Sequence, residues 1–468
     1  MQKSYHVVTC DPTIFRAYDI RGIVDRQLND NVYFTIGCAI AKTMLSMGKH
    51  KILLARDGRL TSLSYSTALA AGFQSFGVEV ISIGLVPTAL MYYGCVSTDI
   101  DCGLMVTGSH NPKNYNGLKI VLAGKTLVQE DILNILEQVK RLESGIHGHP
   151  NLSDSVDLDV VSPYLDYIFK DIQLKKPLKV VIDYGHGAGA VLGHQLFDHL
   201  GCEVIHLYDE VDGHFPAHHP DPTIPENLEH LKQVVLAEKA DVGIAFDGDA
   251  DRVGVITSKG EVIWPDRLMM FFARDVLSRK PNASIVYDVK CSKQLKDIIS
   301  EHHGKPIMSP TGHSLVKAIM KTHHAELAGE MSGHIFFKDR WFGFDDGIYS
   351  ACRFLEILSH YQDIEALLKT IPATPISTPE IKIDIEDDKK FIFMDKIKLL
   401  PVPEDAELIS IDGIRLEFSN GWGLLRSSNT SPCLVSRFEA DSEQVLQKIQ
   451  NLFREMMLTI DPNLLIPF

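Results

Sequence analysis

Residues 51–83 read KILLARDGRLTSLSYSTALAAGFQSFGVEVISI, and their texture decides the architecture. Lys51–Ala55 is a short apolar run of strand character, Ser62–Phe76 is a longer helix-like stretch, and Val78–Ile83 returns to strand texture. Strand, helix, strand in that order is the mark of a βαβ unit. The pattern recurs at Lys179–Asp183, Val191–Leu200 and Glu203–Leu207, and again at Ser284–Asp288 followed by Ser292–Glu301. Three α/β units in series are expected, without an exact repeat. After about Ile371 the texture changes. Pro372, Pro375 and Pro379 punctuate the chain, and strand-like segments such as Glu380–Ile385 and Ile414–Phe418 replace the earlier rhythm, which predicts a smaller C-terminal α+β domain. The expected divisions are 1–155, 156–258, 259–370 and 371–468, the first resting on the polar stretch His147–Ser155.

The 468 residues exceed what one hydrophobic core holds, so several domains are expected on length alone. Apolar residues at 45% and charged residues at 23% match ordinary globular composition. A formal net charge of −15 argues against a basic nucleic-acid-binding surface, although an anionic substrate would need a local basic pocket. The eight cysteines (Cys10, Cys38, Cys95, Cys102, Cys202, Cys291, Cys352 and Cys433) form no C-x-x-C pair and no zinc spacing, so reduced thiols are expected. The N-terminal residues lack the apolar stretch of a signal peptide, and no run approaches the roughly 18 apolar residues that span a bilayer. A cytoplasmic protein with no membrane partner is expected.

Four segments carry chemistry. Thr107-Gly108-Ser109-His110-Asn111-Pro112 follows the strand-like Gly103–Val106, so its serine falls at a strand's carboxyl end, where open α/β sheets bind ligands. The segment reads either as a glycine/proline turn or as a nucleophilic serine with His110 beside it. It is not the G-x-S-x-G elbow of hydrolases. Asp247-Gly248-Asp249-Ala250-Asp251-Arg252 sets carboxylates at i, i+2 and i+4, which in an extended loop project to one side and could hold Mg²⁺. A calcium EF-hand would need Gly and Glu where Arg252 and Ser258 stand. Gly329-Glu330-Met331-Ser332-Gly333-His334 offers a carboxylate able to accept from two neighbouring hydroxyls, or is a plain turn before Ile335–Lys338. Arg426-Ser427-Ser428-Asn429-Thr430-Ser431-Pro432 packs a guanidinium, hydroxyls and an amide into one loop, suited to phosphate or simply a polar turn.

In this order and at this spacing the four segments resemble the α-D-phosphohexomutase family, closest to its bacterial phosphomannomutase/phosphoglucomutase branch, across nearly the whole chain. The opening Ile14-Phe15-Arg16-Ala17-Tyr18-Asp19-Ile20-Arg21-Gly22 is similar to that family's first segment. The resemblance implies three similar α/β domains plus the smaller α+β domain, heart-shaped around a central cleft. It implies that Ser109 is a phosphoserine and, with Asp247, Asp249 and Asp251, a ligand of Mg²⁺. His110, Lys119, Arg21 and Arg252 then belong to the catalytic set. Substrate binding falls to Tyr18, Lys290, His313, Glu330, Ser332, His334, Arg426, Ser428, Asn429 and Thr430. Met331 is similar to the mannose/glucose branch, where glucosamine mutases tend to carry glutamine. The implied reaction interconverts hexose 1-phosphate and hexose 6-phosphate, with a hexose 1,6-bisphosphate as intermediate and activator, in a monomer or dimer.

Two rival readings come from the residues themselves. Lys179–Tyr184 runs into Gly185-His186-Gly187-Ala188-Gly189-Ala190 with Asp209 about twenty residues on, close to a dinucleotide-binding fingerprint. The same glycines also serve close strand-to-helix packing. His218 and His219 suggest either a transition-metal site or a polar loop, and the remaining histidines are dispersed. A non-catalytic phosphosugar-binding protein is the further class.

Overall fold

The computed structural model describes residues 4–149, 156–373, 375–386, 388–428 and 433–468. The chain forms two compact units, one of Met1–Leu268 with Ser332–Ile364, the other of Met269–Met331 with Glu365–Phe468.

The first unit holds two large sheets beside a short antiparallel pair of Tyr5–His6 with His147–Gly148. In one, the strands run in the order Ile20–Ile23, Tyr115–Leu122, Gly103–Val106, Lys51–Arg56, Glu79–Leu85. Lys51–Arg56 is parallel to both of its neighbours, as expected for strands joined through helices, and Tyr115–Leu122 is antiparallel to both of its own. The crossover helix is Ser62–Gln74, two residues shorter than its sequence pattern. It packs on helix Asp30–Ser46, which starts where the Asn29 side chain accepts from Val32 N–H. The two helices approach so closely that a Cβ on Gly37 would lie 2.6 Å from the Leu69 carbonyl oxygen. Only glycine fits there.

The second sheet runs Glu203–Leu207, Lys179–Asp183, Val242–Phe246, Val253–Thr257, Val262–Ile263, the first three parallel and the rest antiparallel. Val242–Phe246 is buried at every position, which accounts for its unbroken apolar reading. The helix that follows Lys179–Asp183 is Ala190–Phe197, ending before the expected Leu200.

In the second unit, Ser284–Asp288 lies parallel between Lys305–Ser309 and Leu327–Gly329, with helices Lys293–Glu301 and His313–His323 as the connections. The C-terminal part is an antiparallel sheet in the order Ile376–Ser377, Cys433–Ala440, Gly421–Ser427, Ile414–Phe418, Glu407–Ile409, with Ile381–Asp384 also paired to Cys433–Ala440. Helix Glu443–Ile460 lays Leu446, Ile449, Phe453 and Met457 against Phe438 and Leu425 of that sheet. Among the described residues, no helix is long and apolar enough to cross a membrane.

Candidate active site

In the first unit three strands, each paired in parallel with a neighbour of its own sheet, end in chemistry. Gly103–Val106 runs into the serine segment, Lys51–Arg56 into Asp57-Gly58-Arg59, and Val242–Phe246 into the aspartate segment. Ser109 sits at φ +48°, in the left-handed region that costs a non-glycine residue about 1–2 kcal/mol. Its neighbours hold it there. Ser109 N–H donates to Thr107 Oγ1 at 2.8 Å, and the Ser109 carbonyl accepts from Arg59 Nη2 at 2.7 Å. Arg59, only 3% exposed, also donates to the carbonyls of Asn111 at 2.5 Å, Pro112 at 2.8 Å and Tyr115 at 3.0 Å. Asp57 completes the frame by accepting from Ser62 Oγ at 2.5 Å, Thr107 Oγ1 at 2.8 Å and Arg59 N–H at 3.0 Å. One guanidinium thus satisfies four carbonyls of the loop. Arg59→Ala is expected to lower stability by about 3 kcal/mol or more, since it orphans those carbonyls and a buried carboxylate, and urea unfolding would measure it.

The aspartate segment departs from its expected shape. The carboxylates converge because the loop is a tight turn, not an extended strand: Ala250 N–H donates to the Asp247 carbonyl at 3.0 Å and Ala250 has φ +56°. Gly187 makes room for this turn, since a Cβ there would lie 2.8 Å from the Gly248 carbonyl oxygen, and Ala188 N–H donates to that same oxygen at 2.9 Å. Gly187 and Gly189 therefore pack against the aspartate loop, and Gly185 against Pro220. They serve the close-packing role that competed with dinucleotide binding.

Asp247, Asp249 and Asp251 are each fully buried and offer ligand atoms that all lie within 4.8 Å of one another. Asp249 Oδ1 has no hydrogen-bond partner among the described residues. Burial, then Asp251 and Asp249, push Asp247 well above the usual carboxylate range. Burial would raise Asp251 too, but Lys119 first and then His334 hold it well below. Three buried anions in so small a space fit a hard dication that relieves their repulsion, so the cluster could hold a metal.

Cations and imidazoles surround the cluster. Lys119 bridges Asp249 Oδ2 at 3.2 Å and Asp251 Oδ2, and although burial opposes its charge, Asp249 and Asp251 raise its pKa. His334 Nε2 lies 3.2 Å from Asp251 Oδ1, and Arg252 Nε donates toward His334 Nε2 at 3.3 Å. Arg252 N–H donates to Asp247 Oδ1 at 3.2 Å. Ser109 Oγ donates to Asp247 Oδ2 at 3.0 Å and meets His110 Nδ1 at 3.1 Å. Burial, Arg252 and Arg21 hold His110 well below the imidazole range. Arg21 donates to the Gly108 carbonyl and to Asn111 Oδ1 at 2.6 Å, with Asp19 Oδ2 at 2.5 Å behind it. Tyr18 is half-buried in the turn before Asp19. Ser332 Oγ meets His334 Nδ1 at 3.1 Å.

The second unit gathers the other expected residues. Glu330 Oε1 accepts from Gly312 N–H at 2.6 Å, next to buried His313 at the start of helix His313–His323. Lys290 Nζ donates to Glu380 Oε1 at 2.6 Å and lies 3.9 Å from Asp288 Oδ2. Lys290 pulls the Glu380 carboxyl down to about 2 against the opposing effect of burial. Arg426 Nε donates to Asp412 Oδ2 at 2.8 Å, and that oxygen also accepts from Thr311 N–H at 3.1 Å. Ser428 is buried and its N–H donates to the Cys433 carbonyl at 3.0 Å. Asn429 and Thr430 lie outside the described residues.

Sequence reasoning missed Asp57, Arg59 and Thr88. Thr88 donates through Oγ1 to Asp249 Oδ2 at 2.6 Å, and its N–H reaches the Asp249 carbonyl at 3.0 Å. The strand-end rule applied to Lys51–Arg56 would have found Asp57 and Arg59, whereas Thr88 carries no local signal. In the second unit it missed Asp288, Glu380 and Asp412. His218, flagged as a metal candidate, is instead tied to Asp183 Oδ2 at 2.9 Å through Nε2.

Comparison with known proteins agrees with this geometry. Residues 12–145, 162–260 and 264–374 match the phosphoglucomutase/phosphomannomutase alpha/beta/alpha domains I, II and III, and residues 380–456 match the family's C-terminal domain. A phosphomannomutase/phosphoglucomutase of Pseudomonas aeruginosa is 48% identical over 464 residues, 98% of each chain. A phosphoglucomutase of Neisseria gonorrhoeae is 44% identical over 456 residues, 97% of this chain and 98% of its own. The crystal structure of a phosphoglucomutase/phosphomannomutase family protein from Burkholderia thailandensis superposes with a TM-score of 0.91 at 42% identity, covering 98% of this chain and 100% of its own. With four family domains in series along its length, this chain belongs to the phosphoglucomutase/phosphomannomutase family.

Proposed function

We propose that the chain is a Mg²⁺-dependent isomerase that interconverts hexose 1-phosphate and hexose 6-phosphate, of mannose or glucose or both, through phosphorylated Ser109. The observation that carries the reading is Ser109 Oγ, held in a left-handed backbone conformation 3.0 Å from Asp247 of the buried carboxylate cluster. Asp247, Asp249, Asp251 and Ser109 would hold Mg²⁺, which would supply positive charge to the transferring phosphoryl oxygens.

In the first half-reaction the bond from phosphorus to Ser109 Oγ breaks and one to the sugar's C6 oxygen forms. The C6 hydroxyl loses a proton and Ser109 regains one. The 1,6-bisphosphate then turns around, and Ser109 Oγ attacks the C1 phosphoryl group. His110, held neutral beside Ser109 Oγ, relays the proton, from the C6 hydroxyl to the departing Ser109 Oγ in the first step and from Ser109 Oγ to the departing C1 oxygen in the second. Lys119, kept as an ammonium by its two aspartates, stays a charge stabiliser, as do Arg21 and Arg252. Arg426, Ser428, Asn429 and Thr430 hold the phosphate that is not reacting. Glu330 and Ser332 take the sugar hydroxyls, and Tyr18, Lys290, His313 and His334 line the substrate. Each proposed domain, 1–155, 156–258, 259–370 and 371–468, contributes one loop. The enzyme works in the cytoplasm as a monomer or dimer, without nucleic acid, and the bisphosphate activates it by phosphorylating an empty Ser109.

A phosphorus NMR time course with Mg²⁺, a trace of bisphosphate and mannose 1-phosphate or glucose 1-phosphate is expected to show the 6-phosphate forming. Conversion of glucosamine 1-phosphate alone would correct the sugar. Silence with all three would leave a binding protein.

A further inference from the structure

A second group of metal-ligating side chains lies in the first unit and shares no residue with the three aspartates. Helix Ala190–Phe197 carries His194, and Asp198 follows four residues on, so the two share a helix face. The edge strand Glu203–Leu207 places His206 beside them. His194, Asp198 and His206 each offer a ligand atom, all within 4.8 Å of one another. Asp198 stands in the middle, with Oδ1 3.2 Å from His206 Nε2 and Oδ2 3.6 Å from His194 Nδ1.

The outward nitrogens of both rings have hydrogen-bond partners. His194 Nε2 meets Asp209 Oδ2 at 2.7 Å, and His206 Nδ1 meets the hydroxyl of buried Tyr184 at 2.9 Å. Asp209 on the far nitrogen of His194 favours the tautomer whose near nitrogen presents its lone pair to a metal, and the Tyr184 hydroxyl can accept from His206 Nδ1–H once a metal displaces the proton that His206 Nε2 shares with Asp198. Here that leaves His194 Nδ1 and His206 Nε2 both directed at Asp198. Two imidazoles and a carboxylate with room for solvent are the donor set of a borderline dication, as in open zinc sites, not of Mg²⁺. Ligand atoms around tetrahedral zinc stand about 3.3 Å apart, and the side chains of His194 and Asp198 are more than half exposed, so they can turn to close the gap.

We infer that His194, Asp198 and His206 form a binding site for a transition-metal dication of the Zn²⁺ class, oriented by Asp209 and Tyr184. The site is independent of the mutase chemistry proposed above. The test is calorimetric titration of Zn²⁺ into the full chain in excess Mg²⁺, compared among wild type, Asp247→Asn, His194→Ala and Asp209→Asn. One equivalent of Zn²⁺ is expected to bind wild type and Asp247→Asn alike. Asp209→Asn is expected to weaken it about 10- to 100-fold and His194→Ala at least as much, with Mg²⁺-supported turnover unchanged in both. Co²⁺ in place of Zn²⁺ should give the visible absorption of a low-coordinate nitrogen and oxygen site, lost in His194→Ala. Zn²⁺ binding that vanishes in Asp247→Asn, survives His194→Ala, or does not occur in excess Mg²⁺ would overturn the assignment.

Discussion

Ser109→Ala protein is expected to lose at least about 10⁴-fold in turnover while retaining its fold, its substrate binding and a Mg²⁺ site weakened by one ligand but still held by the three aspartates. The size follows from the role: a covalent carrier cannot be replaced by positioning alone, and no other hydroxyl of the loop occupies its place against Asp247. Thr107, two residues away, donates its hydroxyl to Asp57 at 2.8 Å. Alanine can keep the left-handed backbone at modest strain, because Thr107 and Arg59 grip the peptide N–H and carbonyl and not the side chain. Intact mass spectrometry after incubation with bisphosphate should show one added phosphoryl group on wild type and none on the variant. An alanine variant that still turned over at a tenth of the normal rate would remove Ser109 from the reaction.

Asp247→Asn is expected to lower activity about 10³-fold or more and, without divalent metal, to make the protein more stable. The sign follows from the raised pKa of Asp247. A carboxyl whose pKa is higher folded than unfolded favours folding in its protonated form. That contribution is fully present below the unfolded value near 3.8 and is lost as pH rises toward the folded value. At neutral pH the wild-type cluster is therefore a liability that asparagine removes. Thermal melts in chelator at pH 7 should place the variant above wild type. Added Mg²⁺ should raise the wild-type midpoint and narrow or reverse the gap. A variant less stable than wild type under chelator would show that the carboxylates do not repel as their burial implies.

Elements whose burial is uniform were the legible ones. Gly103–Val106 and Val242–Phe246 have the bounds that their apolar runs suggested, and Ile414–Phe418 those of its strand-like segment. Helix ends were less so: Ser62–Phe76 and Val191–Leu200 both lost their last residues to turns, where local hydrogen bonds compete with propensity. Within the site, a contiguous motif could be read, but the supports could not. Nothing near residue 59 says that its guanidinium will serve the carbonyls of residues 109–115, and nothing near Thr88 points to Asp249. The histidines at 194 and 206 looked dispersed because their meeting depends on a helix face turning toward an edge strand. The turn of the aspartate loop was hidden for a related reason, since the contacts around Ala250, which has a glycine-like φ, come from Gly187, Ala188 and Gly347, distant in sequence.

The first unit is discontinuous in sequence, and this bears on how the chain is made. Synthesis runs from the N-terminus, so Ser109 and the three aspartates emerge well before His334, the partner of Asp251, and Gly347, whose N–H donates to the Ala250 carbonyl at 3.2 Å. Between them the ribosome must deliver 269–331, which belong to the other unit. At about 5–20 residues per second, the interval from Asp251 to Gly347 lasts roughly 5 to 20 s. For that time the nascent acidic loop exists without its later neighbours, and the unit cannot close in the domain-by-domain order that a simple string of modules would allow.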